Sequence, residues 1–205
     1  SESFYRLVDA VKEVFGFEYI LPTHQGRAAE HLISKHFVKP GSVIPMNQHF
    51  TTTRAHMVMS GGEICEIPTP EALDTKNVFG FKGNINLTAL EQVIATHGRG
   101  KIPFIRMEAS TNLLGGQPFS LRNLTDASSI AHQAGIPVIL DASLIGDNAY
   151  MIKAREPRCK NMTIAQILRS IMEQVDVVYL SARKSCASRG GFIATNDRRV
   201  FEEMA

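Results

Sequence analysis

The stretch SLRNLTDASSIAHQAGIPVILD, residues 120–141, decides the fold. It reads as a helix from Ser120 to Gln133 closed by Gly135, followed by an apolar strand from Val138 to Leu140 that runs into Asp141. The same alternation continues on both sides. Upstream lie a helix from about Leu87 to Thr96 and a strand through Pro103 to Met107; downstream, a helix from Thr163 to Gln174 leads into the strand Val177 to Leu180. Nearer the start, Phe4, Leu7, Val8, Val11, Val14 and Phe15 recur at helical spacing and stop at Gly16. An apolar run (Tyr19 to Leu21), a helical stretch from Gly26 to about His36, a run around Val43, and a helical stretch after Phe50 ending at Gly61-Gly62 follow. Short apolar strands separated by helices predict an α/β architecture, a mainly parallel sheet with helices on both faces. No repeat or Pro/Gly/Ser-rich linker divides the 205 residues.

Composition narrows the function classes. Hydrophobic residues make up 44% and charged residues 20% of the chain, which suits a folded core rather than disorder. The formal net charge of +2 arises from interspersed charges, so neither a nucleic-acid partner nor a polybasic membrane anchor is expected. Cys65, Cys159 and Cys186 lack disulfide-framework or zinc spacing and fit a reducing cytoplasm. No apolar run reaches bilayer length, and the acidic, amphipathic start is unlike a signal sequence. A small-molecule partner is the expectation.

In such sheets ligands bind beyond the carboxyl ends of the strands. The polar residues there form an ordered set: Thr23 to Arg27, Ser110-Thr111-Asn112, Asp141, then Ser181 and Lys184. Lys184 follows an apolar strand and precedes Gly190-Gly191, placing an amine on a turn between two strands. Partly buried and beside Arg183, it would be a nucleophilic amine suited to a Schiff base; a lone lysine in such a place is more often a surface loop residue. Asp141 needs a partner at its strand end. A protonated pyridine nitrogen is one, and a cap for the next helix is another. Gly26 and Arg27 at a helix start suit a phosphate, though a plain turn would look similar. The SxxK spacing of Ser181 and Lys184 lacks the companion triplets of serine acylases, and the seven histidines show no metal-ligand spacing.

Taken in order, the strings PTHQGRAAE (22–30), NQHFTTTRAH (47–56), FKGNINLTALE (81–91), TNLLGGQPFSLRNL (111–124), DNAYMIKARE (147–156) and SARKSCASRGGF (181–192) resemble the β-eliminating lyases, the family of tyrosine phenol-lyase and tryptophanase. The resemblance implies fold type I of the pyridoxal-phosphate enzymes. Residues 1–205 would be its cofactor-binding large domain, incomplete, with small-domain segments missing at both chain ends. It further implies pyridoxal 5'-phosphate as cofactor. Gln25, Gly26, Arg27 and Ser181 would hold the phosphate, Phe50 would stack on the ring, Asn112 would bond its phenolic oxygen, Asp141 would pair with its nitrogen, and Lys184 would bind it covalently. The implied reaction is β-elimination of a tyrosine- or tryptophan-like amino acid to pyruvate, ammonia and the leaving group. Thr51, beside Phe50, leans toward tyrosine. A homo-oligomer, dimer or tetramer, and activation by potassium also belong to the family pattern.

Three departures stand out. Leu144 replaces the family's arginine three residues after the pyridine-pairing aspartate, and Arg183-Lys184-Ser185 replaces Lys-Lys-Asp, so a carbon-sulfur lyase acting on cysteine-like substrates and a degenerate relative are the alternatives. The chain is also about half the family's usual length, and the arginine that grips the substrate carboxylate would lie beyond Ala205.

Overall fold

A computed structural model describes residues 2–184 and 186–205. Its helices are α1 (Glu2–Phe15), α2 (Gly26–Phe37), α3 (Thr51–Met59), α4 (Leu87–His97), α5 (Leu121–Gln133), α6 (Ile145–Arg155), α7 (Ile164–Met172) and α8 (Arg198–Met204). The strands are β1 (Tyr19–Thr23), β2 (Val43–Met46), β3 (Glu63–Glu66), β4 (Ile105–Glu108), β5 (Val138–Asp141), β6 (Val177–Ser181) and β7 (Gly191–Thr195). They form one seven-stranded sheet in the order β1-β7-β6-β5-β4-β2-β3. The ladders from β3 through β6 are parallel, and β7 runs antiparallel between β6 and β1. The predicted α/β class therefore holds, with one reversed strand inserted near an edge.

Alternate strand residues face opposite sides of the sheet, and two apolar clusters result. Val138, Leu140, Val178 and Leu180 pack toward α1, α4, α5, α6 and α7, while Ile139, Val177 and Ile193 pack toward α2, α3 and α8. Because both faces are covered, the central strands are buried throughout, which is why they read as continuous apolar runs. Cys65, Cys159 and Cys186 are free. Among the described residues no helix is long and apolar enough to cross a membrane.

The carboxyl-end rim depends on a buried asparagine that does not look structural in sequence. Asn148, fully buried in α6, accepts hydrogen bonds from the Ser110 amide at 3.0 Å and the Phe119 amide at 3.1 Å, and donates to the Phe119 carbonyl at 3.1 Å. Those bonds clamp both ends of the segment after β4. They also hold Ser110 in a left-handed conformation (φ 50°), which a residue with a side chain adopts reluctantly. Replacing Asn148 with alanine leaves three buried backbone groups without partners. The expected loss is about 3 kcal/mol of stability, read by urea unfolding of the full chain.

Candidate active site

The beginning of α2 supplies the first wall of the site. Gln25 is extended at the N-cap and its side chain does not cap the helix, so the first-turn amides of Gly26 and Arg27 are open to an anion. Gly26 has no side chain for a reason of space: a Cβ there would lie 2.6 Å from the Ser181 Cβ. β6 delivers Ser181, with its amide donating to Ser143 Oγ at 3.0 Å. A cavity of about 220 Å³ opens between these elements, lined by Gln25, Gly26, Arg27, Glu30, Phe50, Thr52, Ser143, Ser181, Arg183 and Lys184. Lys184 Nζ stands 5.0 Å from the centroid of the Phe50 ring, within cation-π range. A larger hollow of about 450 Å³ at the opposite end of the strands, around Lys39, Gly41, Gly100 and Lys101, carries no acid and no comparable convergence of groups.

Under the α2 and α3 side of the cavity lies a buried charged network. Arg106 is completely buried and donates from Nη2 to Asp141 Oδ2 at 2.7 Å and to Glu108 Oε2 at 3.0 Å. Its Nε donates to the Tyr179 hydroxyl at 2.9 Å, and that hydroxyl donates to the same Asp141 oxygen at 3.0 Å. Nη1 donates to the Gln48 carbonyl and Nη2 also to Thr53 Oγ1, which in turn donates to Glu30 Oε1 at 2.6 Å. Strand register explains the gathering, since Glu108 pairs with Asp141 and Asp141 with Tyr179 across β4, β5 and β6, on one face. Burial works against the Arg106 charge, but Tyr179, Glu108, Asp141 and Glu30 outweigh it and hold the guanidinium firmly protonated. Burial, reinforced by Asp141, pushes the Glu108 carboxyl up against the pull of Arg106. Burial also pushes the Tyr179 phenol well up, so the hydroxyl remains a donor.

The structure brings Gln25, Gly26, Arg27, Phe50, Ser181 and Lys184 into one cavity. Asp141 is not in its wall; it lies buried one step behind, its Oδ1 accepting the amide of Ser143 at 3.0 Å. Asn112 is exposed on the neighbouring strand end, where its amide donates to Glu108 Oε1 at 3.0 Å. Thr51 is exposed on the first turn of α3, and Thr52 faces the cavity instead. Lys184 and Arg183 are exposed, rather than partly buried as their sequence setting suggested. Ser185 lies outside the described residues. Sequence reading passed over Arg106, Glu108, Tyr179 and Glu30; the available signal was a pair of charges two apart in a buried strand, which places both on one face.

These residues fit pyridoxal phosphate. The uncapped amides of α2 with the Gly26–Ser181 contact form a cradle that a Cβ would fill, an amine and an aromatic face line the same small space, and the strand-end carboxylate of Asp141 lies one step behind it.

The chain is 40% identical over 204 residues to a tyrosine phenol-lyase of Symbiobacterium thermophilum, covering 99% of this chain and 44% of that protein. It thus spans less than half the length of the curated relatives it matches. Its fold is shared with a serine palmitoyltransferase of Sphingomonas wittichii (TM-score 0.66, 16% identity, 100% of this chain and 44% of that one). It is also shared with a serine palmitoyltransferase of S. paucimobilis solved with bound PLP-myriocin (TM-score 0.64, 14% identity, 100% and 44%). The family model described as beta-eliminating lyase matches residues 1–203, and the chain belongs to that family.

Proposed function

We propose that this chain is the cofactor-binding large domain of a pyridoxal-phosphate-dependent lyase that eliminates the β-substituent of a tyrosine-like amino acid, releasing pyruvate, ammonia and a phenol. The observation that carries the reading is the convergence on one cavity of the open α2 amide cradle at Gly26, the Phe50 ring and the Lys184 amine 5.0 Å from it. Relatives at about 40% identity named tyrosine phenol-lyase support the substrate class, as does Thr51 beside Phe50. When bound, the cofactor supplies an electron sink for charge developing at the substrate α-carbon.

The chain's own residues do the rest. The amides of Gly26 and Arg27, the Arg27 guanidinium and Ser181 bind the phosphate, the helix start favouring the anion. Phe50 would flank the ring and exclude water from that face, and Asn112 would bond its phenolic oxygen. Asp141, one step behind the wall, would pair with the ring nitrogen, where a carboxylate would stabilise a proton. Lys184 would hold the cofactor covalently, and its free amine would be the base that takes the α-proton of the substrate. With Leu144 where the family has arginine, no cation from that position assists Asn112. The family's homo-oligomer and potassium activation are carried over with this reading.

Two experiments test it. Incubating the full chain with pyridoxal phosphate and reducing with borohydride should label Lys184, and Gly26→Ala should weaken cofactor binding at least about tenfold, since a displaced phosphate forfeits charge-assisted hydrogen bonds. Labelling elsewhere, with Lys184 unmodified, sinks the assignment. Pyruvate release should be fastest from tyrosine when tyrosine, tryptophan and cysteine are compared; faster release from cysteine would select the carbon-sulfur alternative, and none from any of the three would mark a degenerate relative.

A further inference from the structure

Resting on the cofactor reading above, we propose that Arg106 is a positioning residue that acts through Asp141: with Glu108 it sets the net charge facing the cofactor's ring nitrogen, leaving that nitrogen only partly protonated. An unpaired aspartate would present a full negative charge there. Asp141 does not, because Arg106 donates to its Oδ2 at 2.7 Å and Tyr179 donates to the same oxygen at 3.0 Å. Its other oxygen already accepts the Ser143 amide and is the one left to meet a ligand. The guanidinium therefore fixes the carboxylate's orientation and places a positive charge directly behind it.

Glu108 tempers that charge. It touches the same Nη2 at 3.0 Å from two residues further along β4, on the same sheet face and paired with Asp141 across the ladder. The other groups facing this cluster are Thr53 of α3, bonded to Arg106 and Tyr179, and Glu30 of α2, which reaches it through Thr53 and keeps one buried oxygen, Oε2, without a partner among the described residues. One cation thus balances two carboxylates directly and a third at one remove. The balance shifts in opposite directions when different members are removed. Taking away the Glu108 charge alone lets Arg106 bear more fully on the ring nitrogen. Taking away Arg106 and Glu108 together leaves Asp141 an unopposed anion, with Glu30 the other carboxylate remaining in the network. A purely structural role for Arg106 predicts neither direction.

The test is the 15N chemical shift of pyridoxal phosphate labelled at its ring nitrogen and bound to the full chain, read against protonated and unprotonated references. Wild type should fall between them. Glu108→Gln should move the shift toward the unprotonated reference, and Arg106→Leu combined with Glu108→Leu toward the protonated one. Each should correspond to about a tenfold change in the protonation equilibrium, one pKa unit of the nitrogen. Unchanged shifts, or shifts in the same direction, overturn the proposal. If circular dichroism shows the double variant unfolded, Glu108→Gln decides alone, and a move toward the protonated reference or none at all overturns it. With Lys184 labelled by borohydride and the nitrogen unmoved, only this inference falls; with Lys184 unlabelled, the cofactor reading falls and takes it along.

Discussion

The buried guanidinium of Arg106 constrains more of this structure than any other side chain. Placing it in a sheet interior forfeits its hydration, a cost of several kcal/mol that only well-placed acceptors recover. Asp141, Glu108, Tyr179, Thr53 and the Gln48 carbonyl provide them, from three adjoining strands, a helix and a loop. The arrangement works in one register only: slipping β4 by a residue would turn Arg106 and Glu108 to the other face, among the apolar side chains of α5 and α6. The network accordingly fixes how β4, β5 and β6 line up, and with them the strand ends from which the cavity is built.

This arrangement also explains why Asp141 is set back from the cavity wall. A strand-end carboxylate surrounded by donors is held rigidly, and a rigid group costs no reorganisation when a ligand arrives. Phe50 and Lys184, by contrast, sit on a helix start and an open turn, where side chains can adjust.

The sequence made the central strands and most helices legible because burial on both faces writes itself as unbroken apolar runs bounded by glycine. The edge strand β3 does not carry that signature: with exposed Glu63 and Glu66, it went unread. So did α6, whose opening Gly146-Asp147-Asn148 looks like a loop until Asn148 is seen to be an internal tie. The cavity residues were legible as strand-end polar residues and through family strings. The network behind them was not. Arg106 and Glu108 can be assigned a face by counting, but their partners on β5, β6, α2 and α3 emerge only when the register between strands is known.

One topological detail bears on how the molecule comes into being. β1 finds its ladder partner only in β7, the last strand of the sheet, and Gly26 rests against Ser181 at the end of β6. On the ribosome, β1 must therefore wait until β7 has been made, on the order of ten seconds at usual elongation rates. Throughout that interval Gly26 has no opposing wall, so the cavity closes late in biogenesis rather than serving as a nucleus around which the chain assembles.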